Sequence, residues 1–176
     1  MLDKALELAR MAGFEHSAAL NVSALVLRPE VRQMCAADRC ERYGRSWSCP
    51  PACGTLETLT KRFSHCTEGV LVQTEAKLAD SFDFEAMAKA EKLHKSRFDT
   101  LARQMKLLDK SCIPLSAGSC TRCRKCTYPT KPCRYPAKLY YSMEACGLLV
   151  TDVCTASGLK YKYSDNSMVY SSCVLF

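Results

Sequence analysis

Residues 84–116 read FEAMAKAEKLHKSRFDTLARQMKLLDKSCIPLS. Met87, Phe98, Leu101, Met105 and Leu108 fall on one stripe of a helix, and charged residues fill the remaining surface. Ser81 or Asp83 stands where an N-cap belongs. The spacing therefore predicts a helix from Phe84 to Lys110, followed by a short extended piece at Cys112–Ser116. A long amphipathic helix feeding a short apolar strand is the repeating step of an α/β protein.

Working outward, the same alternation continues. Gly69–Thr74 is a short apolar strand. Thr55 can cap a helix whose Leu56, Leu59, Phe63 and Cys66 keep helical spacing. Ala18–Leu27 reads as a buried strand, with Leu20, Val22, Ala24 and Val26 on one face and Leu25 and Leu27 on the other. Met1–Ala12 is an amphipathic helix through Leu2, Ala5, Leu6 and Ala9, with Gly13 as its C′ residue. Towards the C-terminus, a helix is expected to start after Ser142 and run past Val150, and Met168–Phe176 is an apolar strand. The fold class is thus α/β: a single-domain sandwich over residues 1–176. Its sheet is partly parallel with flanking helices, and two cysteine-rich loops interrupt it.

Those loops dominate the composition. The chain has 176 residues, 13 of them cysteine, and a formal charge of +7. No apolar run is long enough to span a bilayer. The N-terminal helix carries Asp3, Lys4, Glu7 and Arg10, so it does not read as a secretory signal. The expected compartment is the cytoplasm, where thiols stay reduced. An odd cysteine count in a chain large enough to bury a core argues against a disulfide scaffold and for metal.

Cys120, Cys123, Cys126 and Cys133 are spaced C-x2-C-x2-C-x6-C. Three cysteines at steps of three let one loop wrap three corners of a cubane, and a fourth arrives from downstream. Zinc ribbons prefer two separated C-x2-C pairs. Gly118 and Ser119 give backbone freedom for N–H groups to turn towards sulfur, and Pro129, Pro132 and Pro136 keep the segment out of helix and central strand. Cys120 and Cys123 alone would resemble a thioredoxin-type pair, but Cys126 and the lack of a Trp-Cys context speak against it.

The other set is Cys35, Cys40, Cys49 and Cys53, spaced C-x4-C-x8-C-x3-C around Trp47, the only tryptophan. Here the spacing is less diagnostic: zinc at Cys35–Cys53 is the alternative to a cluster. Trp47 is placed to shield this centre from water. Cys66, Cys112, Cys154 and Cys173 stand singly in apolar stretches and read as small core hydrophobes. Cys146 reads the same way, although the start of a helix would stabilise a thiolate there. His16, His65 and His94 show no ligand spacing.

Arg39, Arg42, Arg45, Arg122, Arg124, Lys125, Lys131, Arg134 and Lys138 interleave with the cysteines. Eight thiolates on two cubanes would bring the net charge to about +3, so these cations compensate anionic clusters first. They also suit docking of an acidic redox partner, a flavoprotein or ferredoxin-like protein. Nucleic acid is disfavoured because the aromatics form no stacking platform. No phosphate loop, Ser/His/Asp arrangement or paired-carboxylate site is present in the sequence.

Several motifs carry a resemblance. They are Cys35-x4-Cys40 followed by Tyr43-Gly44-x2-Trp47-x-Cys49-Pro50-Pro51, then Ala117-Gly118-Ser119-Cys120-x2-Cys123-x2-Cys126, Cys133-Arg134-x-Pro136 and Ser142-Met143-Glu144-Ala145. In these the chain resembles a small cysteine-rich "predicted metal-binding protein" family, a domain of unknown function, of anaerobic bacteria and archaea. The resemblance implies metal binding, iron–sulfur in kind, in an anaerobic setting; it supplies no reaction. The segment after Gly118 is also distantly similar to the cluster-binding stretch of iron–sulfur reductases that act with corrinoids or flavins.

The expectation is therefore an iron–sulfur protein with two 4Fe–4S clusters, one on Cys35, Cys40, Cys49 and Cys53 and one on Cys120, Cys123, Cys126 and Cys133. Electron transfer to a partner enzyme fits this better than stand-alone catalysis. The alternatives are a structural or metal-handling zinc or iron protein, and a reductase-like enzyme with a substrate beside one cluster near Gly118–Ser119 or Ser142–Glu144.

Overall fold

The stripe quoted above forms a 25-residue helix, Phe84–Leu108 (α4 of the complete set below). Asp83 caps it by accepting from the Ala86 N–H at 3.0 Å. Phe98, Leu101, Ala102 and Met105 are buried, while Leu108, assigned to the same stripe, is 52% exposed because the helix ends on it.

The computed structural model describes residues 1–176. In chain order the elements are α1 (Leu2–Met11), β1 (His16–Ala19), α2 (Pro29–Ala36), α3 (Leu56–Phe63), β2 (Gly69–Lys77), α4, β3 (Ile113–Ser116), β4 (Tyr141–Ser142), α5 (Val150–Ala156) and β5 (Ser167–Leu175). Short 3₁₀ turns lie at Val22–Ala24, Pro136–Lys138 and Glu144–Cys146. One five-stranded sheet runs β1-β2-β5-β3-β4. Its long centre is the antiparallel β2–β5 pair, in register from Gly69↔Leu175 to Lys77↔Ser167. The only parallel pair is β3–β4, through Leu115↔Tyr141 and Ser116↔Ser142.

Strand alternation divides the core between the two faces. Leu71, Cys173 and Leu175 point to one face, where they meet Leu59 and Phe63 of α3, Val153 and Cys154 of α5, and Met143 and Cys146. Val70, Val72 and Val174 point to the other, against Ala5 and Ala9 of α1 and Phe98, Leu101 and Met105 of α4. His94 of α4 is completely buried on that second face. Its ring nitrogens reach the hydroxyls of Thr74 at 3.1 Å and Ser172 at 2.7 Å.

The expected strand at Ala18–Leu27 is corrected. Pairing stops at Ala19, and Val22–Ala24 turns as a 3₁₀ segment. The apolar run is satisfied without a ladder: Leu20 joins the core, Val22, Leu25 and Leu27 pack against it, and Leu27 makes only an isolated bridge to Leu148. The expected helix from Ser142 past Val150 is also divided. Gly147 adopts φ +86°, which ends the Glu144–Cys146 turn, and a new helix begins at Val150.

That glycine is required. A Cβ at Gly147 would meet Leu56 Cδ2 at 2.8 Å and the Arg28 carbonyl oxygen at 3.2 Å. The left-handed conformation adds roughly 1–2 kcal/mol for any L side chain. Gly147→Ala is expected to lower stability by about 2 kcal/mol or more, read as a reduced denaturant midpoint. An unchanged midpoint would show that the Arg28–Gly147 contact yields freely.

Candidate metal centres

The Cys120–Cys133 set lies in the connection from β3 to β4. The connection has few apolar side chains of its own, so polar contacts hold it. Lys95 of α4 donates to the Ser119 carbonyl at 2.7 Å while paired with Glu91. Arg122 pairs with Asp99 of α4 and donates through Nε to the Lys138 carbonyl at 3.0 Å. Arg134 donates to the Lys125 carbonyl at 3.0 Å.

Within this frame all four cysteines line one cavity together with Trp47 and Arg134. The cavity is narrow, about 20 Å³. The Tyr135 N–H donates to Cys133 Sγ at 3.4 Å. Burial raises the Cys126 thiol, but backbone N–H groups of Tyr128, Trp47 and Thr127 and the Ser46 hydroxyl outweigh it and hold the thiol below its ordinary range. Donors converging on a sulfur stabilise its thiolate form, the form that binds metal. Four thiols around one cavity, two of them met by such donors, suit a soft, thiolate-loving centre.

Trp47 belongs in sequence to the first set, but it stands over the second. Its indole N–H donates to the Lys131 carbonyl at 3.1 Å, and its ring meets Tyr128 edge-on at 4.9 Å. Its neighbours continue the crossing. The Ser48 hydroxyl accepts from the Cys120 N–H at 3.0 Å, lies 3.0 Å from the Ser46 hydroxyl, and sits 3.6 Å from Cys49 Sγ. One buried hydroxyl thus touches both sets. Nothing in the spacing pointed to Ser46 or Ser48; the only signal was two small polar residues flanking the tryptophan.

The first set is built from α2 and the loop after it. Helix α2 was not expected: it buries only Val31, so it lacks an apolar stripe, but Pro29 at its first turn is a favoured start. Cys35 lies in its last turn, and its thiol donates to the Glu144 carbonyl at 3.8 Å. Burial, the largest cause, and neighbouring Glu144 push the Cys35 thiol up to about 11. Cys40 is exposed, between Asp38 and Glu41, which both adopt positive φ. Cys49 is buried.

Cys35, Cys40 and Cys49 line a cavity of about 240 Å³ with Glu144, Ser142 and Ser119. Cys53 is buried outside it: its Sγ donates to the Ala145 carbonyl at 3.4 Å and accepts from Arg32 at 3.4 Å. Two buried polar atoms here have no partner, Arg32 Nε and Glu144 Oε2. Nowhere do three His, Cys, Asp or Glu side chains converge closely enough to hold a single metal ion. The cysteines stand around cavities instead.

The remaining cysteines are placed as core residues. Cys112, Cys146, Cys154 and Cys173 are buried, and Cys66 packs against the core from its edge. Cys146 lies in a 3₁₀ turn, where burial pushes its thiol up rather than stabilising a thiolate.

The family model described as "Predicted metal-binding protein (DUF2284)" matches residues 18–176. The chain belongs to this family. The match takes in all eight grouped cysteines and leaves out only α1 and the start of β1. No curated protein and no solved structure matches the chain. Membership in the DUF2284 family agrees with a cysteine-rich metal-binding reading, and no helix is long and apolar enough to cross a membrane.

Proposed function

We propose that this DUF2284 protein carries two 4Fe–4S clusters and passes electrons to a partner protein. One cluster is assigned to Cys120, Cys123, Cys126 and Cys133, and the other to the loop of Cys35, Cys40, Cys49 and Cys53. The observation that carries the reading is the convergence of the C-x2-C-x2-C-x6-C cysteines on one cavity, with the Tyr135 N–H donating to the Cys133 sulfur. When bound, such clusters supply a reversible one-electron couple.

The chain's own residues divide the remaining work. Thiolates hold the metal, and the Ser46 hydroxyl and backbone N–H groups stabilise negative charge on sulfur. Ser48, in contact with both loops, keeps the two sites adjacent. Exposed Arg124, Lys125, Lys131, Arg134 and Lys138 surround the second site and favour an acidic partner, a flavoprotein or ferredoxin-like protein. The reading places the protein in the reducing cytoplasm.

Anaerobic purification followed by iron and acid-labile sulfide analysis tests this. About eight irons and eight sulfides per chain are expected. Colourless protein with stoichiometric zinc and no sulfide would establish a structural or metal-handling role instead.

A further inference from the structure

A cleft runs between α4 and the two ends of the β3–β4 connection. Two cavities, of about 250 and 390 Å³, share Ser96, Asp99, Lys138 and Tyr140 and so form one recess. One wall is a face of α4, where Ser96, Asp99, Arg103 and Lys106 recur at steps of three or four. The other wall is Thr121 and Arg122 from one end of the connection and Ala137, Lys138 and Tyr140 from the other. Phe98 and Tyr140, edge-to-face with ring centroids 5.8 Å apart, give the recess an aromatic lining.

The charge in this recess is one-sided. Lys95, Arg103, Lys106, Arg122 and Lys138 line it, and Asp99 is its only carboxylate. Arg122 takes Asp99, while Lys95 is taken by Glu91 and the Ser119 carbonyl. Arg103, Lys106 and Lys138 remain without an acidic partner. Lys106 Nζ instead stands 5.9 Å from the centre of the Tyr140 ring, with the Arg122 guanidinium 5.7 Å from the same centre. Unpaired cations gathered along a concave wall repel one another and concentrate an anion between them.

We infer that this cleft binds a small phosphorylated molecule. The unpaired cations stand on both walls. A tetrahedral dianion, whose oxygens accept from several directions, suits them better than a planar carboxylate. Arginine offers phosphate a bidentate fork, and lysine offers it a point charge. Leu107 and Ala137 line the same recess and give apolar surface to an organic remainder. The larger cavity alone falls within the roughly 300–1,000 Å³ usual for small-molecule sites. Cys120 also lines the cleft, so the bound molecule lies beside the second cysteine set. The cleft is built from protein side chains alone, so the inference stands apart from the identity of the metal.

Isothermal titration calorimetry with inorganic phosphate, on the anaerobically purified full-length protein at fixed ionic strength, tests this. One saturable phosphate site per chain is expected. Arg103→Gln and Lys138→Gln, one from each wall, are each expected to weaken it by about tenfold or more. Lys92→Gln and Lys110→Gln remove the same charge from exposed positions outside the cleft, and each is expected to weaken it less than about twofold. Succinate, a dianion built of carboxylates, is expected to bind about tenfold more weakly than phosphate. All four substitutions lie outside the core, and a thermal melt of each checks that it is folded. Absence of a saturable phosphate site in the wild type overturns the inference. Equal weakening in all four folded variants also overturns it, because phosphate then reads only the net charge. Succinate that binds as tightly as phosphate overturns phosphate as the class of ligand.

Discussion

Cys123→Ala is expected to halve the bound iron, from about eight to about four per chain, and to leave one absorbing centre. Cys123 is the middle cysteine of the run that lines the second cavity. On the proposed assignment its loss would open one corner of a centre whose other three corners sit on the same short loop. A ligand set completed by neighbours in sequence has no substitute at hand, so the whole centre is lost rather than rearranged. Cys173→Ala is the matched control. Cys173 is fully buried in β5, in register with Leu71 on one side and Leu115 on the other. Its truncation is expected to cost about 1–2 kcal/mol of packing and no iron. One iron assay and one thermal melt on each variant make the comparison. Equal iron loss in both would remove the distinction between ligand and core cysteines.

The second large effect is on stability against pH. Burial, aided by nearby Lys95 and Arg97, lowers His94 from its ordinary value to about 3. The unfolded chain therefore binds this proton near pH 6.5, where the folded chain does not. A lowered folded value makes the contribution fully present above about pH 6.5 and progressively lost as pH falls towards 3. The slope approaches about 1.4 kcal/mol per pH unit below pH 6.5, so about 2.3 kcal/mol disappears between pH 6.5 and 4.5.

Glu144 acts in the opposite sense, since burial raises its carboxyl despite hydrogen bonding from its own N–H and Ser142. The measurement is therefore the difference between wild type and His94→Gln, in which Glu144 cancels. Denaturant melts from pH 7 to 4.5 should show wild type losing stability faster by that slope. Parallel curves would mean that His94 is protonated at little cost.

How much was legible beforehand follows from where the information sits. Helix α4 and strands β2 and β5 could be read because their burial repeats at helical or strand spacing. Thr55 and Asp83 could be read as caps because capping needs only a short polar side chain at one place, and both accept the expected N–H. The Val22–Leu27 segment could not, because the same apolar residues serve a ladder or an irregular segment lying on the core. Helix α2 was hidden by its single buried residue. The grouping of Cys120, Cys123, Cys126 and Cys133 was local in sequence and is local in space. The separation of Cys53 from Cys35, Cys40 and Cys49 depends on Arg32 and Ala145, and Trp47 crosses to the other loop. Those are tertiary choices that spacing does not encode.

The β3–β4 pair has a topological consequence. Neighbouring strands that run the same way cannot be joined by a hairpin, because the chain must travel back the length of a strand before it can start again. Most proteins fill that obligatory return with a helix. Here residues 117–140 make the return carrying only a 3₁₀ turn at Pro136–Lys138, and the four cysteines occupy it. The sheet fixes both ends of this excursion through Leu115↔Tyr141 and Ser116↔Ser142. Its interior is held by side-chain contacts from α4 and the Trp47 loop rather than by strand pairing, so its course is set independently of the sheet register.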